Sequence, residues 1–244
     1  MSIFSEVVVG LNDQPPKAVL FDLDGTLIDS VPDLTAAIDT MLQSINKSPA
    51  GEAKVNRWVG NGATALVKRA LADCDDGDQL HNTRYSNEQE DEEYTSAYPV
   101  FELAYAQRLT HATGLYPGVL SVLSALTKAN ISLVLITNKP RQFTLPLLQA
   151  LKIDHFFVEI ICGDDLEFKK PHPLPVQTAL SRLGILAEQA LMVGDSISDV
   201  KSARGAKVKS VAVTYGYNHG IAITDASNEC QADAFIDELP QLLK

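Results

Sequence analysis

Cysteines are few, basic residues are outnumbered and long apolar runs are missing, and each shortage removes a class of protein. No apolar stretch in the 244 residues reaches the ~18 needed to cross a bilayer, so no membrane association is expected. The N-terminus has no basic stretch followed by an apolar core, so a secretory leader is not expected either. Cys74, Cys162 and Cys230 are odd in number, widely spaced and form no CxxC pair. They argue against a zinc site or a disulfide framework and fit a reducing compartment, so a cytoplasmic location is the expectation. Lys and Arg total 20 against 31 Asp and Glu, a net charge of −11. An acidic surface attracts neither nucleic acid nor an anionic membrane, so neither is expected as a partner. The same charge does nothing for anionic substrates, so any phosphate pocket has to supply its own positive charge.

What is present is an ordinary interior. Hydrophobic residues make up 45% of the chain, enough for one large domain or a core with an insert. Apolar runs that read as buried strands recur at 18–21, 131–136, 156–162, 190–193 and 210–214, with a weaker one at 234–236. Helical patterns fall between the later runs, at 119–129, 141–151, 173–183 and 198–206. Strands alternating with helices predict an α/β fold, a Rossmann-like parallel sheet with helices on both faces. Right-handed crossovers then bring the carboxyl ends of the strands to one edge.

That rhythm breaks between about Val31 and Gly114. Pro32-Asp33 opens a helix whose apolar residues Leu34, Ala37, Ile38, Met41, Leu42 and Ile45 keep helical spacing. Further helical stretches follow at 55–59, 63–71 and 94–113. An all-helical cap at 32–114, inserted after the first strand of a core made of 1–31 and 115–244, is the domain organisation this predicts, with 1–14 as an N-terminal extension. Within the insert, 73–93 is heavily acidic with Arg84 as its only Arg or Lys. It reads as a solvated loop, the alternative being a partner-binding patch.

The chemistry-bearing residues sit at strand ends. Directly after Phe21 come Asp22 and Asp24, two residues apart on one side of an extended chain, and Gly25 then lets the chain turn. Like charges at ~4 Å repel by about 4 kcal/mol at an effective dielectric of ~20. Such a pair persists only with a bound cation or a shared proton, and a nucleophile beside a proton donor is what it offers. Thr137 and Asn138 end the strand at 131–136; hydroxyl, amide and free backbone N–H groups suit phosphate oxygens there, and equally suit a helix cap. Lys170, before Pro171, follows the run ending at Cys162 and offers an ammonium to a group of carboxylates; Lys169 is expected in solvent and His172 in a structural role. Asp195 ends the strand at 190–193, with Asp199 four residues later in the first turn of a helix.

Taken together, Asp22-Leu23-Asp24-Gly25-Thr26, Thr137-Asn138, Lys170 and Gly194-Asp195 with Asp199 resemble, in order, the four motifs of the haloacid dehalogenase superfamily. Longer stretches (Phe21–Ser30, Arg57–Leu71, Tyr116–Val119, Gly163–Pro173 and Thr214–Asn218) are similar to its phosphoglycolate phosphatases. The resemblance implies a hydrolase of small phosphorylated metabolites, monomeric or homodimeric. It implies Asp22 as nucleophile, Asp24 as general acid and base, and Thr137, Asn138 and Lys170 on the phosphoryl group. Mg²⁺ would be held by Asp22, Asp24 through its carbonyl, and Asp195, with Asp199 in support. In the cap, Gly60-Asn61-Gly62 is expected to face substrate. Arg57, Lys68 and Arg69 are either partners for a substrate carboxylate or solvated helix faces. Departures from the pattern are Ile197-Ser198 in place of a common Arg-Asn, Lys207 where a glycine is usual, and His219 for a frequent tyrosine. A sugar-phosphate mutase of the same superfamily and a non-catalytic phosphate-binding regulator are the competing readings.

Overall fold

All four residues of the first strand are buried, and the strand lies between two parallel neighbours. The computed structural model describes residues 4–9, 15–74, 88–225 and 231–244. Along the chain come α1 (Glu6–Val9), β1 (Ala18–Phe21), β2 (Ile28–Asp29), α2 (Val31–Ser44), α3 (Glu52–Trp58), α4 (Ala63–Ala72), α5 (Glu88–Ala106) and β3 (Gly114–Leu115). The alternating part follows as α6 (Val119–Lys128), β4 (Ser132–Ile136), α7 (Arg141–Ala150), β5 (Glu159–Ile161), α8 (Leu174–Leu183), β6 (Ala190–Gly194), α9 (Ile197–Gly205), β7 (Lys209–Val213) and β8 (Ala234–Ile236). The six-stranded sheet runs β5-β4-β1-β6-β7-β8, parallel throughout.

Because side chains alternate across a strand, the sheet divides its apolar residues between two cores. Val19, Phe21, Leu133, Leu135, Leu191 and Val193 face a cluster with Val122, Leu126 and Leu147 from α6 and α7. Leu20, Val134, Ile136 and Met192 face the other side, against Val176 and Ala179 of α8 and Ala203 of α9. In register, Phe21 lies opposite Leu135 and Val193. Asp22, Thr137 and Asp195 therefore leave the sheet along one edge, where β1 is flanked by β4 on one side and β6 on the other. Open α/β sheets bind their ligands at such a crossing point.

Helices α2 to α5 build a separate cluster. Leu34, Ile38, Met41 and Leu42 of α2 are buried with Val55, Trp58, Val67, Phe101 and Tyr105, and Phe143 and Tyr217 from the α/β part pack against them. At the neck, β2 and β3 pair antiparallel, Ile28 opposite Leu115 and Asp29 opposite Gly114. A two-residue strand is too short for a period-2 signal, so sequence patterning does not register this pair.

Several boundaries differ from expectation. The fourth cap helix starts earlier and ends at Ala106 instead of continuing to Thr113. After it the chain turns, and the amides of Ala112 and Thr113 donate to Oδ2 of Asp33 at 2.9 and 2.7 Å. The acidic stretch is helical from Glu88 onward; 75–87 lies outside the described residues. In the run 156–162 only Glu159–Ile161 is strand, because Asp154–Phe156 tightens into a 3₁₀ turn. The N-terminal extension joins the core: Phe4 bridges Leu243, and Phe4 and Val8 are fully buried. Lys207 has φ +61°, the left-handed conformation that a glycine adopts without steric cost. Among the described residues no helix is long and apolar enough to cross a membrane.

Candidate active site

Asp22 leaves β1 with its amide donating to the Val193 carbonyl at 3.0 Å, so β6 fixes the backbone of the first carboxylate. Lys170, with 2% of its side chain exposed, lies between Asp22 Oδ1 at 2.7 Å and Asp199 Oδ1 at 2.6 Å. Asp199 Oδ2 accepts from the backbone and hydroxyl of Ser196 at 3.0 and 2.7 Å, which caps α9 and commits both Asp199 oxygens. Asp195 accepts from the Thr26 hydroxyl at 3.0 Å and from the Tyr217 amide at 2.8 Å. Gly25 makes this approach possible. Its φ is +89°, and a Cβ there would lie 2.3 Å from Asp195 Oδ2, so only glycine fits without displacing the carboxylate.

One oxygen each from Asp22, Asp195 and Asp199 lies within 4.8 Å of the others, all three residues buried. Burial, then the neighbouring charge of Asp199, pushes the Asp195 carboxyl up to about 7. The same two causes raise Asp22 well above the usual carboxylate range, although Lys170 opposes them. Burial disfavours the charged form of Lys170, but Asp199 and Asp22 outweigh it and hold the ammonium above its ordinary value. One ammonium against three carboxylates leaves the cluster short of positive charge. Hard oxygen donors in that condition fit a divalent cation, and the Asp22, Asp195 and Asp199 oxygens are the candidate donors.

Asp24 lines the same cleft as Asp22 but has other partners. It accepts from Lys139 Nζ, 2.9 Å from Oδ1 and 3.2 Å from Oδ2, and from the Ser30 hydroxyl at 2.5 Å. Ser30 precedes α2 yet makes no side-chain capping bond, because its hydroxyl is spent on Asp24. Both aspartates line a cleft together with Thr137, Asn138 and Lys139. Its outer wall is apolar, with Leu34, Leu66, Phe101, Tyr105 and Phe143.

The remaining expected residues divide. Thr137 Oγ1 accepts the Lys139 amide at 3.1 Å, which leaves its own hydrogen for another acceptor. Asn138 faces the cleft, but its amide nitrogen is engaged by the carbonyls of Gly60 at 3.1 Å and Lys170 at 2.9 Å. It thus ties the cap loop to the lysine segment. Gly60 and Gly62 line the cleft. Asn61 turns aside, its side chain accepting from Arg69 at 2.8 Å and its carbonyl from Lys169 at 2.7 Å. Lys169, expected in solvent, is at the surface but anchors the cap through that bond. Arg69 also donates to the Trp58 carbonyl at 2.6 Å, Lys68 lies over the Tyr94 ring, and Arg57 lines a second cleft with Tyr116 and Tyr217. None of the three lines the cleft at Asp22. His172 is structural, its Nδ1 accepting the Leu174 amide at 3.1 Å. Sequence reasoning missed Lys139, although it directly follows Thr137-Asn138.

Comparison with known proteins agrees with this geometry. The model of the haloacid dehalogenase-like hydrolases matches residues 19–213. A phosphoglycolate phosphatase of Nitrosococcus oceani is 45% identical over 93% of this chain and 95% of its own length. Phosphoglycolate phosphatase 1 of Pseudomonas aeruginosa is 45% identical over 92% of this chain and 79% of its own. The crystal structure of a predicted phosphoglycolate phosphatase from Haemophilus somnus superposes with a TM-score of 0.81 at 35% identity, covering 91% of this chain and 94% of that one. With a parallel sheet that gathers Asp22, Lys170, Asp195 and Asp199 at one edge, and a family match over most of its length, the chain belongs to the haloacid dehalogenase-like hydrolases.

Proposed function

We propose that this protein is a Mg²⁺-dependent phosphomonoesterase that converts 2-phosphoglycolate to glycolate and inorganic phosphate through an aspartyl-phosphate on Asp22. The observation that carries the reading is the buried Asp22–Lys170–Asp199 array beside a cleft that a second acid, Asp24, also lines. The names of the relatives at 45% identity support the substrate.

Asp22 attacks phosphorus in line, its O–P bond forming as the bond to the leaving oxygen breaks. Asp24 gives a proton to the departing alkoxide, and later takes one from the water that cleaves the aspartyl-phosphate and returns Asp22 to its starting form. Lys170 holds Asp22 in line and stabilises charge on the phosphoryl oxygens. The Thr137 hydroxyl supplies a further donor to those oxygens. Asn138 acts by fixing the Gly60 loop and the backbone of Lys170, since its amide nitrogen already serves both carbonyls. A divalent ion held by Asp22, Asp195 and the Asp24 carbonyl, with Asp199 as the buttress, supplies when bound the positive charge that the cluster lacks. Residues 32–114 serve as the cap, whose Gly60–Gly62 loop keeps bulk water from the cleft. The substrate is a small metabolite of the cytoplasm.

Phosphate release from a panel of small phosphomonoesters, with and without Mg²⁺, tests the reading. The highest kcat/KM is expected for 2-phosphoglycolate, with activity lost on chelation. A low rank for that ester would discard the substrate. Phosphate exchange between sugar positions without net release would point to a mutase instead.

A further inference from the structure

We propose that Lys139 is the specificity residue that binds the anionic end of the leaving group, a carboxylate one methylene away from the ester oxygen. This rests on the substrate reading above and supplies the cation it needs. Among the residues lining the cleft, Lys139 is the one Lys or Arg, whereas Arg57, Lys68 and Arg69 line other parts of the molecule. Its side chain is 4% exposed, and its Nζ sits 4.8 Å from the centre of the Tyr105 ring, inside the apolar wall. Burial disfavours the charged form of Lys139, but Asp24 and Tyr105 together outweigh burial and hold its ammonium above the ordinary value.

The two lysines divide the site. Lys170 is held at the nucleophile by Asp22 and Asp199, which leaves it to the phosphoryl group. Lys139 stands on the other side, beside the acid that protonates the leaving oxygen. An ammonium carries three hydrogens, and Asp24 draws on two directions, through Oδ1 and Oδ2. The third lies toward Tyr105, and a ligand carboxylate in the cleft would compete for it. In a phosphoryl ester of a 2-hydroxy acid, the ester oxygen and the carboxylate are separated by a single carbon. A donor in contact with Asp24 therefore reaches the carboxylate while Asp24 reaches the ester oxygen. Longer leaving groups would carry their charge past Lys139 into the wall of Leu66, Phe101 and Phe143, where no cation lines the cleft to receive it.

The test compares kcat/KM for 2-phosphoglycolate and for 2-hydroxyethyl phosphate, an ester of similar size without the carboxylate, in the parent and in Lys139→Met. If Lys139 binds the carboxylate, the variant loses on the order of 100-fold more on 2-phosphoglycolate than on the neutral ester, with the difference appearing in KM. Equal losses on both esters would mean that Lys139 only positions Asp24, and would overturn the assignment. A parent that treats the two esters alike removes the substrate reading and this proposal with it; a discriminating parent with equal losses in the variant removes this proposal alone. If a thermal melt shows that Lys139→Met does not fold, Lys139→Arg carries the test. The guanidinium meets a carboxylate at a different reach and angle, so the ratio of the two kcat/KM values shifts by about tenfold or more. An unchanged ratio overturns the proposal.

Discussion

Replacing Lys170 with methionine removes the one ammonium that touches both Asp22 and Asp199, at 2.7 and 2.6 Å. Methionine fills a similar volume, so the perturbation is mainly electrostatic. With oxygens of Asp22, Asp195 and Asp199 within 4.8 Å of one another, each ionised pair at that spacing repels by about 3–4 kcal/mol at an effective dielectric of ~20. Removing one partner of a buried ion pair costs ~3–5 kcal/mol, the same scale reached from a different direction. For a chain of this size a loss of 1 kcal/mol lowers Tm by ~2–4 °C. The metal-free Lys170→Met protein should therefore melt roughly 6–20 °C below the parent. A divalent ion supplies positive charge to the same oxygens, so saturating Mg²⁺ should raise the Tm of the variant more than that of the parent. Paired thermal melts in chelator and in Mg²⁺ measure both effects. A variant that melts within a degree or two of the parent in chelator would refute the view that Lys170 balances the acidic cluster.

Two other predictions concern the carboxylates. Asp22→Asn should abolish phosphate release without lowering Tm in chelator, since it removes a buried charge from a crowded cluster; turnover at the parent rate would rule out Asp22 as nucleophile. In the metal-free chain the Asp195 carboxyl is raised to about 7, by burial and then by Asp199, so the folded chain keeps a proton that the unfolded chain releases near pH ~4. That contribution to stability is complete below pH ~4 and is lost as pH rises through about 7. The gap between melting temperatures in Mg²⁺ and in chelator should accordingly widen between about pH 5 and pH 7, and a constant gap would contradict it.

The strand ends were legible because Asp22, Thr137 and Asp195 each directly follow a buried apolar run. Ala18–Phe21 and Ala234–Ile236 match their strands, and α6 to α9 fall within a residue or so of the helical patterns. Pairings between distant segments were not legible. That Lys139 meets Asp24 depends on β4 lying beside β1 with Leu135 opposite Phe21, a register that local patterning does not encode. The Tyr217 amide likewise reaches Asp195 from the loop after the next strand. The direction of a helical side chain was equally hidden. Arg69 and Arg57 read alike in sequence, yet packing turns Arg69 inward onto the Trp58 carbonyl, while Arg57 faces the cleft beside Tyr217. The β2–β3 pair fell below the length at which alternation is visible.

That short ladder separates two evolutionary problems. The insert departs at Asp29 and returns at Gly114, residues that pair directly, while Asp33 clasps the returning amides of Ala112 and Thr113. Since the two crossings are held side by side, the sheet meets the same stem whatever length of polypeptide lies between, and extra residues there add little closure entropy. Descendants of this chain can thus remodel the lid and change which alcohol departs, while the edge of the sheet that handles phosphorus is inherited intact.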